Sequence, residues 1–209
     1  MASRRVLSLF AALVFVATCA FAAPPGLRGP MPAQMPVPSS DKFTFAIIGD
    51  RWGGEVAAWS VFDRSVEEIN LTRPDFVMSV GDLIDGKVTV PAKQDSMWRD
   101  FWQHAGKFTA PFFVALGNHD ISNPTMQAHW KQNYGPTYYS FDYAGCHFIV
   151  LCTEEMVGNA ASGSVFLGPE QTGWALRDLA SNSGARHTFI FMHKPVWRLG
   201  PNGASDPDI

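Results

Sequence analysis

Phe76–Asp85 has the sequence FVMSVGDLID, and this stretch decides the fold. Its first half, Phe76–Val80, is an apolar run of the kind that forms a buried strand. A glycine then opens a polar turn that carries Asp82 and Asp85. Three other segments repeat this pattern, in which an apolar run is followed directly by a polar cluster. They are Phe43–Ile48 before Gly49-Asp50, Pro111–Leu116 before Gly117-Asn118-His119-Asp120, and His187–Met192 before His193-Lys194-Pro195.

Amphipathic segments separate these runs. In Glu55–Leu71 one helical face is apolar, and charged residues occupy the other face. The apolar face comprises Val56, Trp59, Phe62, Val66 and Ile69. Further helices are predicted at Ser96–Lys107, Thr125–Asn133 and Pro169–Ala180, the last of which begins with a proline suited to a first helical turn.

Two more strands are predicted at Tyr138–Tyr143 and Cys146–Thr153, joined by Ala144-Gly145 as a two-residue hairpin turn. Alternating strands and helices indicate an α/β fold with mainly parallel strands, and the hairpin adds an antiparallel pair that favours a mixed sheet or a sandwich. Ligands of such folds bind beyond the carboxyl ends of the strands. We therefore expect the four polar clusters to converge on one site.

The residue types in these clusters fit a two-metal phosphoesterase. Phosphate esters are anionic and hydrolyse slowly, and two metal ions about 3.5–4 Å apart neutralise the phosphoryl oxygens and supply hydroxide at neutral pH. Asp50 can bind one ion, and Asp82 is the best candidate to bridge both. Asn118 offers a neutral amide oxygen and His193 an imidazole, and zinc, iron and manganese accept this mixture of ligands.

Residues beside the predicted ligands are candidates for the remaining chemistry. His119 directly follows Asn118, so it lies close to the metals, where it could contact the substrate or protonate the leaving oxygen. Asp85 could orient His119 through a ring nitrogen. The remaining histidines are interpreted as structural or surface residues: His104, His129, His147 and His187.

Two of the clusters closely match the central motifs of the calcineurin-like metallophosphoesterases, a superfamily that includes the purple acid phosphatases. They are Gly81–Asp85 and Gly117–Asp120, and His193–Pro195 matches the next motif. The chain resembles this family over about residues 43–195. The resemblance implies a two-layer β-sandwich of mixed sheets flanked by helices, a dinuclear metal site and the hydrolysis of phosphate esters.

The resemblance also implies a role for each cluster. The predicted ligands are Asp50 for the first ion, Asp82 as the bridge, and Asn118 and His193 for the second ion. His119 is then the catalytic histidine, and Asp85 is its partner.

Two departures from the family pattern bear on activity. The first motif usually has a histidine two residues after its aspartate, but Trp52 stands there, and an indole cannot ligate a metal. We expect Arg51, which adjoins the predicted metals, to bind a phosphate oxygen of the substrate, since a guanidinium suits bidentate contacts with phosphate. The family also has a Gly-His-x-His segment downstream, whereas no histidine follows His193. The sequence is therefore predicted to be truncated, with a fold that is incomplete at the C-terminus, and to bind metal weakly.

The bulk composition limits the classes of function. The chain has 209 residues, a net charge of -3 and no cluster of basic residues, which disfavours nucleic acid as the main partner. Residues 1–22 have the basic start, apolar run and small-x-small end of a signal peptide, and Ser3-Arg4-Arg5 also hints at twin-arginine export. Residues 23–40 form a proline-rich linker, and residues 41–209 form the metallophosphoesterase domain. These features predict a secreted or periplasmic protein with no membrane span in the mature chain.

Two hypotheses of function follow. The first is an exported metal-dependent phosphoesterase that hydrolyses phosphate esters with two divalent or trivalent ions of iron, zinc or manganese. The second is a secreted binding module that keeps the fold without turnover, and Trp52 and the missing final histidines favour it. The sequence leaves the substrate and the oligomeric state open, because the loops that select substrates vary freely within a fold. Cys146 and Cys152 lie too far apart on one predicted strand to form a disulfide, so they are predicted to be separate buried thiols.

Overall fold

The structure is a computed structural model that describes residues 35, 37, 38, 40–51, 56–156 and 167–195. The predicted signal peptide lies outside these residues, as do most of the predicted linker and residues 196–209. Trp52 lies outside them as well, so its effect on the site stays a prediction. In the described part of the chain, no helix has the length and apolarity needed to cross a bilayer.

The described strands form two sheets of three strands each. The first sheet is parallel, in the order β1 (Phe45–Ile48), β2 (Phe76–Ser79) and β3 (Phe112–Phe113). In the second sheet, β4 (Tyr139–Tyr143) runs antiparallel to β5 (Cys146–Val150), and β6 (Thr188–Phe191) pairs parallel with β5. The predicted hairpin turn is confirmed, since Ala144 and Gly145 join β4 to β5 with positive φ angles of 50° and 75°.

Helices cover the outer face of each sheet. They are α1 (Val56–Thr72), α2 (Pro91–Ala105), α3 (Pro124–Asn133) and α4 (Pro169–Ser181). The first sheet packs on α1–α3 through a buried apolar cluster that includes Phe62, Trp98 and Trp130. The two sheets meet at a second cluster, which is rich in aromatic rings and includes Phe76 and Phe148, whose ring centres lie 5.3 Å apart. On the other side of the second sheet, Ala175 of α4 belongs to a third apolar cluster. The predicted two-layer sandwich flanked by helices is therefore confirmed.

Each of the six strands is shorter than its predicted run. β3 and β5 lose the most at their carboxyl ends, where side chains replace the backbone ladder near the polar clusters. β3 ends at Phe113 rather than Leu116, and beyond it the Ser79 hydroxyl accepts from the Ala115 N–H at 3.0 Å and donates to the Ala115 carbonyl at 3.2 Å. β5 ends at Val150 rather than Thr153. There the Gln171 amide accepts from the Cys152 N–H at 2.8 Å and donates to the Cys152 carbonyl at 3.0 Å.

The beginning of α2 also differs from the prediction. The helix starts at Pro91 rather than Ser96, because proline fits the first helical position, where no N–H is needed. Both predicted thiols are free and buried, as the spacing of Cys146 and Cys152 indicated.

Candidate metal centre at the strand ends

Asp50 and Asp82 lie just beyond the carboxyl ends of two neighbouring parallel strands, β1 and β2, and both adopt a left-handed backbone conformation. Their φ angles are 51° and 55°. Aspartate enters this region more readily than most residues, yet a non-glycine residue held there still costs about 1–3 kcal/mol. The Asp50 N–H donates to the Gly81 carbonyl at 2.9 Å, so the two loops stay paired after the strands end. This pairing places both carboxylates at the same edge of the sheet.

Gly81 and Gly117 allow the loops to approach each other closely. A β-carbon at Gly81, whose φ is 97°, would lie 2.6 Å from the Gly117 nitrogen and 2.9 Å from His193 Nδ1. A β-carbon at Gly117 would collide with the carboxylate and the backbone nitrogen of Asp82. The glycines before Asp82 and Asn118 are therefore required by the close approach of the strand-end loops.

The Asp82 carboxylate is buried, and its two oxygens have different neighbours. Oδ1 accepts a hydrogen bond from the His119 backbone N–H at 2.9 Å, which fixes the plane of the carboxylate. Oδ2 lies 3.5 Å from His193 Nε2. One oxygen is thus held by the loop after β3, and the other faces the imidazole that follows β6.

His193 is oriented by a backbone carbonyl. Its Nδ1 lies 2.8 Å from the Val80 carbonyl oxygen, which can only accept, so Nδ1 carries the proton. Nε2 then faces Asn118 Oδ1 at 3.2 Å in addition to Asp82 Oδ2. Histidines that bind metals usually donate their other N–H in this way.

The groups that converge here suit a cation. One ligand atom from each of Asp50, Asp82 and His193 lies within 4.8 Å of the other two, and Asn118 adds an amide oxygen on the same side of His193. Oxygen and nitrogen atoms with lone pairs face one another, an arrangement that a shared positive charge stabilises. Carboxylate, amide and imidazole together match zinc, iron or manganese. The structure therefore brings all four predicted ligands together, while their coordination of metal stays a prediction.

Asp120 ties the loop after β2 to the loop after β3. Its Oδ1 accepts from the N–H groups of Leu83 at 2.8 Å and Ile84 at 3.1 Å, and its Oδ2 accepts from the Gly117 N–H at 2.8 Å. Complete burial raises the pKa of the Asp120 carboxyl to about 7, although these three backbone donors oppose the rise. This residue holds the two central motifs in register.

His119 and Asp85 are neighbours, and the contact uses a ring nitrogen of His119. His119 Nδ1 lies 2.7 Å from the backbone carbonyl oxygen of Asp85, so the backbone of Asp85 makes this contact and its carboxylate does not. Because a carbonyl only accepts, Nδ1 is the ring nitrogen that carries the proton in this contact. The Asp85 carboxylate instead accepts from Arg51 Nη2 at 3.2 Å.

Comparison with known protein families shows the family of this chain. A family model described as calcineurin-like phosphoesterase matches residues 43–206. The chain belongs to the calcineurin-like phosphoesterase family. The match covers all four strand-end clusters, and it agrees with the resemblance that the motifs indicated.

Two curated relatives of this calcineurin-like phosphoesterase are both named serine/threonine-protein phosphatase CPPED1. The Bos taurus protein is 26% identical over 156 residues, which cover 71% of this chain and 49% of the relative. The Danio rerio protein is 24% identical over 165 residues, which cover 76% of this chain and 52% of the relative. The chain spans about half the length of these curated relatives.

Two solved structures share the fold of this calcineurin-like phosphoesterase. A dimetal phosphatase from Danio rerio has a TM-score of 0.58 at 15% identity, with 77% of this chain and 72% of that chain covered. A purple acid phosphatase from yellow lupin (Lupinus luteus) seeds has a TM-score of 0.50 at 17% identity, with 74% of this chain and 31% of that chain covered. At such identities the likeness shows the fold alone, which is the predicted one.

Arg51 of this calcineurin-like phosphoesterase is engaged by the protein itself. Its Nε donates to the Leu83 carbonyl at 2.6 Å, its Nη2 pairs with Asp85, and its guanidinium carbon lies 3.8 Å from the centre of the Trp59 ring. Its side chain is 6% exposed. Burial lowers the pKa of Arg51, and the Asp85 carboxylate opposes that change. Whether Arg51 binds substrate phosphate stays a prediction. The hydrogen bonds to Leu83 and Asp85 occupy two of the three guanidinium nitrogens, Nε and Nη2.

Glu154 is a buried acidic residue beside the segment that carries His193, and the sequence alone did not single it out. Its side chain is 1% exposed, and its Oε2 accepts a hydrogen bond from Lys194, the residue after His193. The Lys194 N–H also donates to the Thr153 hydroxyl at 3.1 Å. The available signal was an acidic residue directly after the predicted strand β5, which places it at the same edge as the four clusters.

Three of the four histidines interpreted as structural or surface residues pair with aspartates on helices and strands of this calcineurin-like phosphoesterase. The pairs are His104 with Asp63 at 2.7 Å, His129 with Asp95 at 2.8 Å, and His147 with Asp142 and Asp178 at 2.7 Å each. The exposed His187 lies just before β6, and its backbone carbonyl accepts from the His147 N–H. Among the described residues, only His193 joins carboxylates in a group that could hold a metal ion.

Proposed function

We propose that this chain is a metal-dependent phosphoesterase with a dinuclear centre at the strand ends. The observation that carries the proposal is the convergence of Asp82 Oδ2 and Asn118 Oδ1 on His193 Nε2, at 3.5 and 3.2 Å. Three lone pairs held at these distances, in a member of a phosphoesterase family, fit a metal ligand set better than a structural hydrogen-bond network.

Each side chain has a role in this proposal. Asp82, Asn118 and His193 would hold one ion, and Asp50 and Asp82 would hold the other. When bound, the ions would neutralise the phosphoryl oxygens and supply a nucleophile at neutral pH. The carbonyl of Val80 keeps the proton of His193 on Nδ1, so that Nε2 presents its lone pair to the centre.

His119 would act as the general acid. The Asp85 carbonyl holds the proton on its Nδ1, so its Nε2 is the atom that would deliver a proton to the leaving oxygen of the ester. Its backbone N–H meanwhile fixes the Asp82 carboxylate. One residue would thus connect the metal ligands to the proton donor, which keeps the leaving oxygen and the donor in a fixed relationship.

The test is hydrolysis of an aryl phosphate after removal of metals with a chelator and titration with Mn²⁺, Zn²⁺ or Fe²⁺. We expect turnover that requires added metal. His119→Gln should lower kcat by about 10²–10⁴. His193→Ala should weaken the calorimetric binding of Mn²⁺ by at least about tenfold. The matched control is His187→Gln, which removes an exposed histidine just before β6 and should change neither quantity.

The outcomes separate the two hypotheses of function. Binding of metal and inorganic phosphate without turnover at any metal concentration would support the secreted binding module and contradict the enzyme. Because both curated relatives are named serine/threonine-protein phosphatases, a phosphoserine peptide is the first substrate to compare with the aryl phosphate. A higher kcat/KM for the peptide would extend the proposal to phosphoproteins.

We also propose that the protein is exported. The support is the basic start, apolar run and Ala20-Phe21-Ala22 ending of residues 1–22. Expression in a bacterial host, followed by mass spectrometry of the periplasmic fraction, should yield a chain that begins at Ala23. An intact Met1 confined to the cytosolic fraction would contradict export.

A further inference from the structure

Arg51 is held by a fixed set of contacts that involve three parts of the fold. Its Nε donates to the Leu83 carbonyl, its Nη2 donates to the Asp85 carboxylate, and its guanidinium covers one face of Trp59. A guanidinium has its donors in a rigid plane, so two hydrogen bonds and a stacked ring define its position fully. With a side chain that is 6% exposed, Arg51 has little surface left for a ligand.

The loop that Arg51 binds is the loop that orients His119. Leu83 and Asp85 supply the two acceptors for the guanidinium, and the carbonyl of Asp85 is the acceptor for His119 Nδ1 at 2.7 Å. The opposite side of this loop is held by Asp120, which accepts from the Leu83 N–H at 2.8 Å. The position of the Asp85 carbonyl therefore depends on two ionic side chains that bind the loop from different directions.

Trp59 connects this arrangement to the helices. The Trp59 ring stacks on the imidazole of His104 with ring centres 3.9 Å apart and an angle of 10°, while Arg51 lies over the Trp59 ring as well. His104 is fixed in turn by Asp63 at 2.7 Å. Since Trp59 and Asp63 belong to α1 and His104 to α2, the guanidinium is supported by rigid elements.

We propose that Arg51 is a positioning residue for His119, acting through the Leu83–Asp85 loop, and that it does not bind substrate phosphate. This inference rests on the proposed function, because it gives Arg51 a role only if His119 performs proton transfer. It replaces the expectation that Arg51 contacts a phosphate oxygen. Removal of the guanidinium releases two acceptors on the loop and lets the Asp85 carbonyl move away from His119 Nδ1.

Steady-state kinetics with the metal-loaded chain separate positioning from phosphate binding. For Arg51→Met we expect kcat to fall by about 10-fold to 100-fold, the effect of a small displacement of a catalytic group, with KM and inhibition by inorganic phosphate within about twofold of the wild type. Arg51→Lys should not restore kcat, because one ammonium cannot reach both acceptors in the geometry of the fork. The matched control is Arg64→Met, which removes an exposed guanidinium of α1.

A measurement that does not need activity tests the same coupling. In spectra of the protein labelled with ¹⁵N-histidine, the hydrogen-bonded Nδ1–H of His119 should be visible in the wild type and in Arg64→Met. It should be weakened by exchange with water in Arg51→Met and in Trp59→Leu. The assignment comes from the loss of this signal in His119→Gln.

The experiments distinguish failure of the positioning role of Arg51 from failure of the proposed phosphoesterase function. A rise of tenfold or more in KM and in the phosphate inhibition constant of Arg51→Met, with kcat retained, would show phosphate binding and overturn the positioning role. An unchanged His119 signal in folded Arg51→Met would overturn it as well. If the wild type has no activity with any metal, the proposed function fails, but the spectra still decide whether Arg51 orients His119.

Discussion

The Glu154 carboxylate and the Lys194 ammonium lie 2.8 Å apart, and this pair joins the end of β5 to the residue that follows His193. Glu154 is almost fully buried, while the Lys194 side chain is 22% exposed. The pair therefore anchors the segment after β6 to the end of β5. Its proximity to His193 links the packing of the second sheet to the geometry of the candidate metal site.

Replacement of Glu154 should affect both stability and metal binding. In Glu154→Gln the charge that balances Lys194 is lost at a buried position, and we expect the free energy of unfolding to fall by about 1–3 kcal/mol. The affinity for Mn²⁺ should fall by about tenfold, because Lys194, which directly follows His193, loses the buried partner that fixes its position. Urea unfolding and calorimetry measure the two effects. Glu67→Gln, at an exposed position of α1, is the control, and equal behaviour of the two variants would contradict the role of Glu154.

Gly117 should not tolerate even one additional methyl group. A β-carbon at this position collides with the Asp82 carboxylate, so Gly117→Ala must displace either the loop or the predicted bridging ligand. We expect a loss of about 1–3 kcal/mol in the free energy of unfolding and a clear loss of metal affinity. Gly184→Ala is a matched control, since a β-carbon there meets no atom within 4 Å. Retention of wild-type Mn²⁺ affinity in Gly117→Ala would refute this packing argument.

Asp120 should require both of its oxygens as acceptors. An asparagine has one acceptor oxygen, and its amide N–H groups would face the N–H of Gly117 or those of Leu83 and Ile84. Asp120→Asn is therefore expected to destabilise the fold by about 1–3 kcal/mol, the usual effect of an unsatisfied buried polar group. Thermal unfolding followed by circular dichroism checks the result. The exposed Asp41→Asn serves as the reference, and similar melting temperatures for the two variants would be inconsistent with the clamp.

The sequence predicts the location of the centre because parallel strands deliver their carboxyl ends to one edge. Asp50, Asp82 and Asn118 each follow a glycine at the end of an apolar run, and that local pattern sufficed to bring them together with His193. The alternation of apolar runs with amphipathic segments likewise predicts the helices and the strands, but it left a mixed sheet or a sandwich open, and the two-layer sandwich came from the family resemblance. Both patterns involve residues that are close together in the sequence, so they can be recognised in one sequence without knowledge of the structure.

The rest depends on tertiary contacts that no local pattern encodes. Arg51 was expected to bind a phosphate oxygen because it adjoins Asp50, which stays a prediction, and its contacts with Leu83 and Asp85 join residues more than 30 positions apart in the sequence. The ends of β3 and β5 were misplaced because Ser79 and Gln171 bond to backbone groups of other segments. Side-chain pairing across the fold is set by packing, and hydrophobic periodicity carries no information about it.

His147 gives the fold a dependence on pH that is separate from the metal centre. The ring is 2% exposed, and its nitrogens lie 2.7 Å from carboxylate oxygens of Asp142 and Asp178, while Asp178 also accepts from the Ser140 hydroxyl. Burial opposes the charged ring, but the two carboxylates outweigh it and raise the pKa of His147 above its ordinary value of 6.5. Both ring nitrogens therefore donate, and the protonated ring links β4 and β5 to α4.

The sign of the effect follows from that pKa. A histidine whose pKa is higher in the folded state contributes stability that is fully present below pH 6.5 and is lost as the pH rises through the folded value. We expect the difference in the free energy of unfolding between the wild type and His147→Gln to be largest near pH 5–6, at about 1–3 kcal/mol, and to shrink at higher pH. Urea unfolding of both proteins from pH 5 to 9 measures it, with His187→Gln as the control. A difference that stays constant or grows with pH would show that His147 is neutral in the fold.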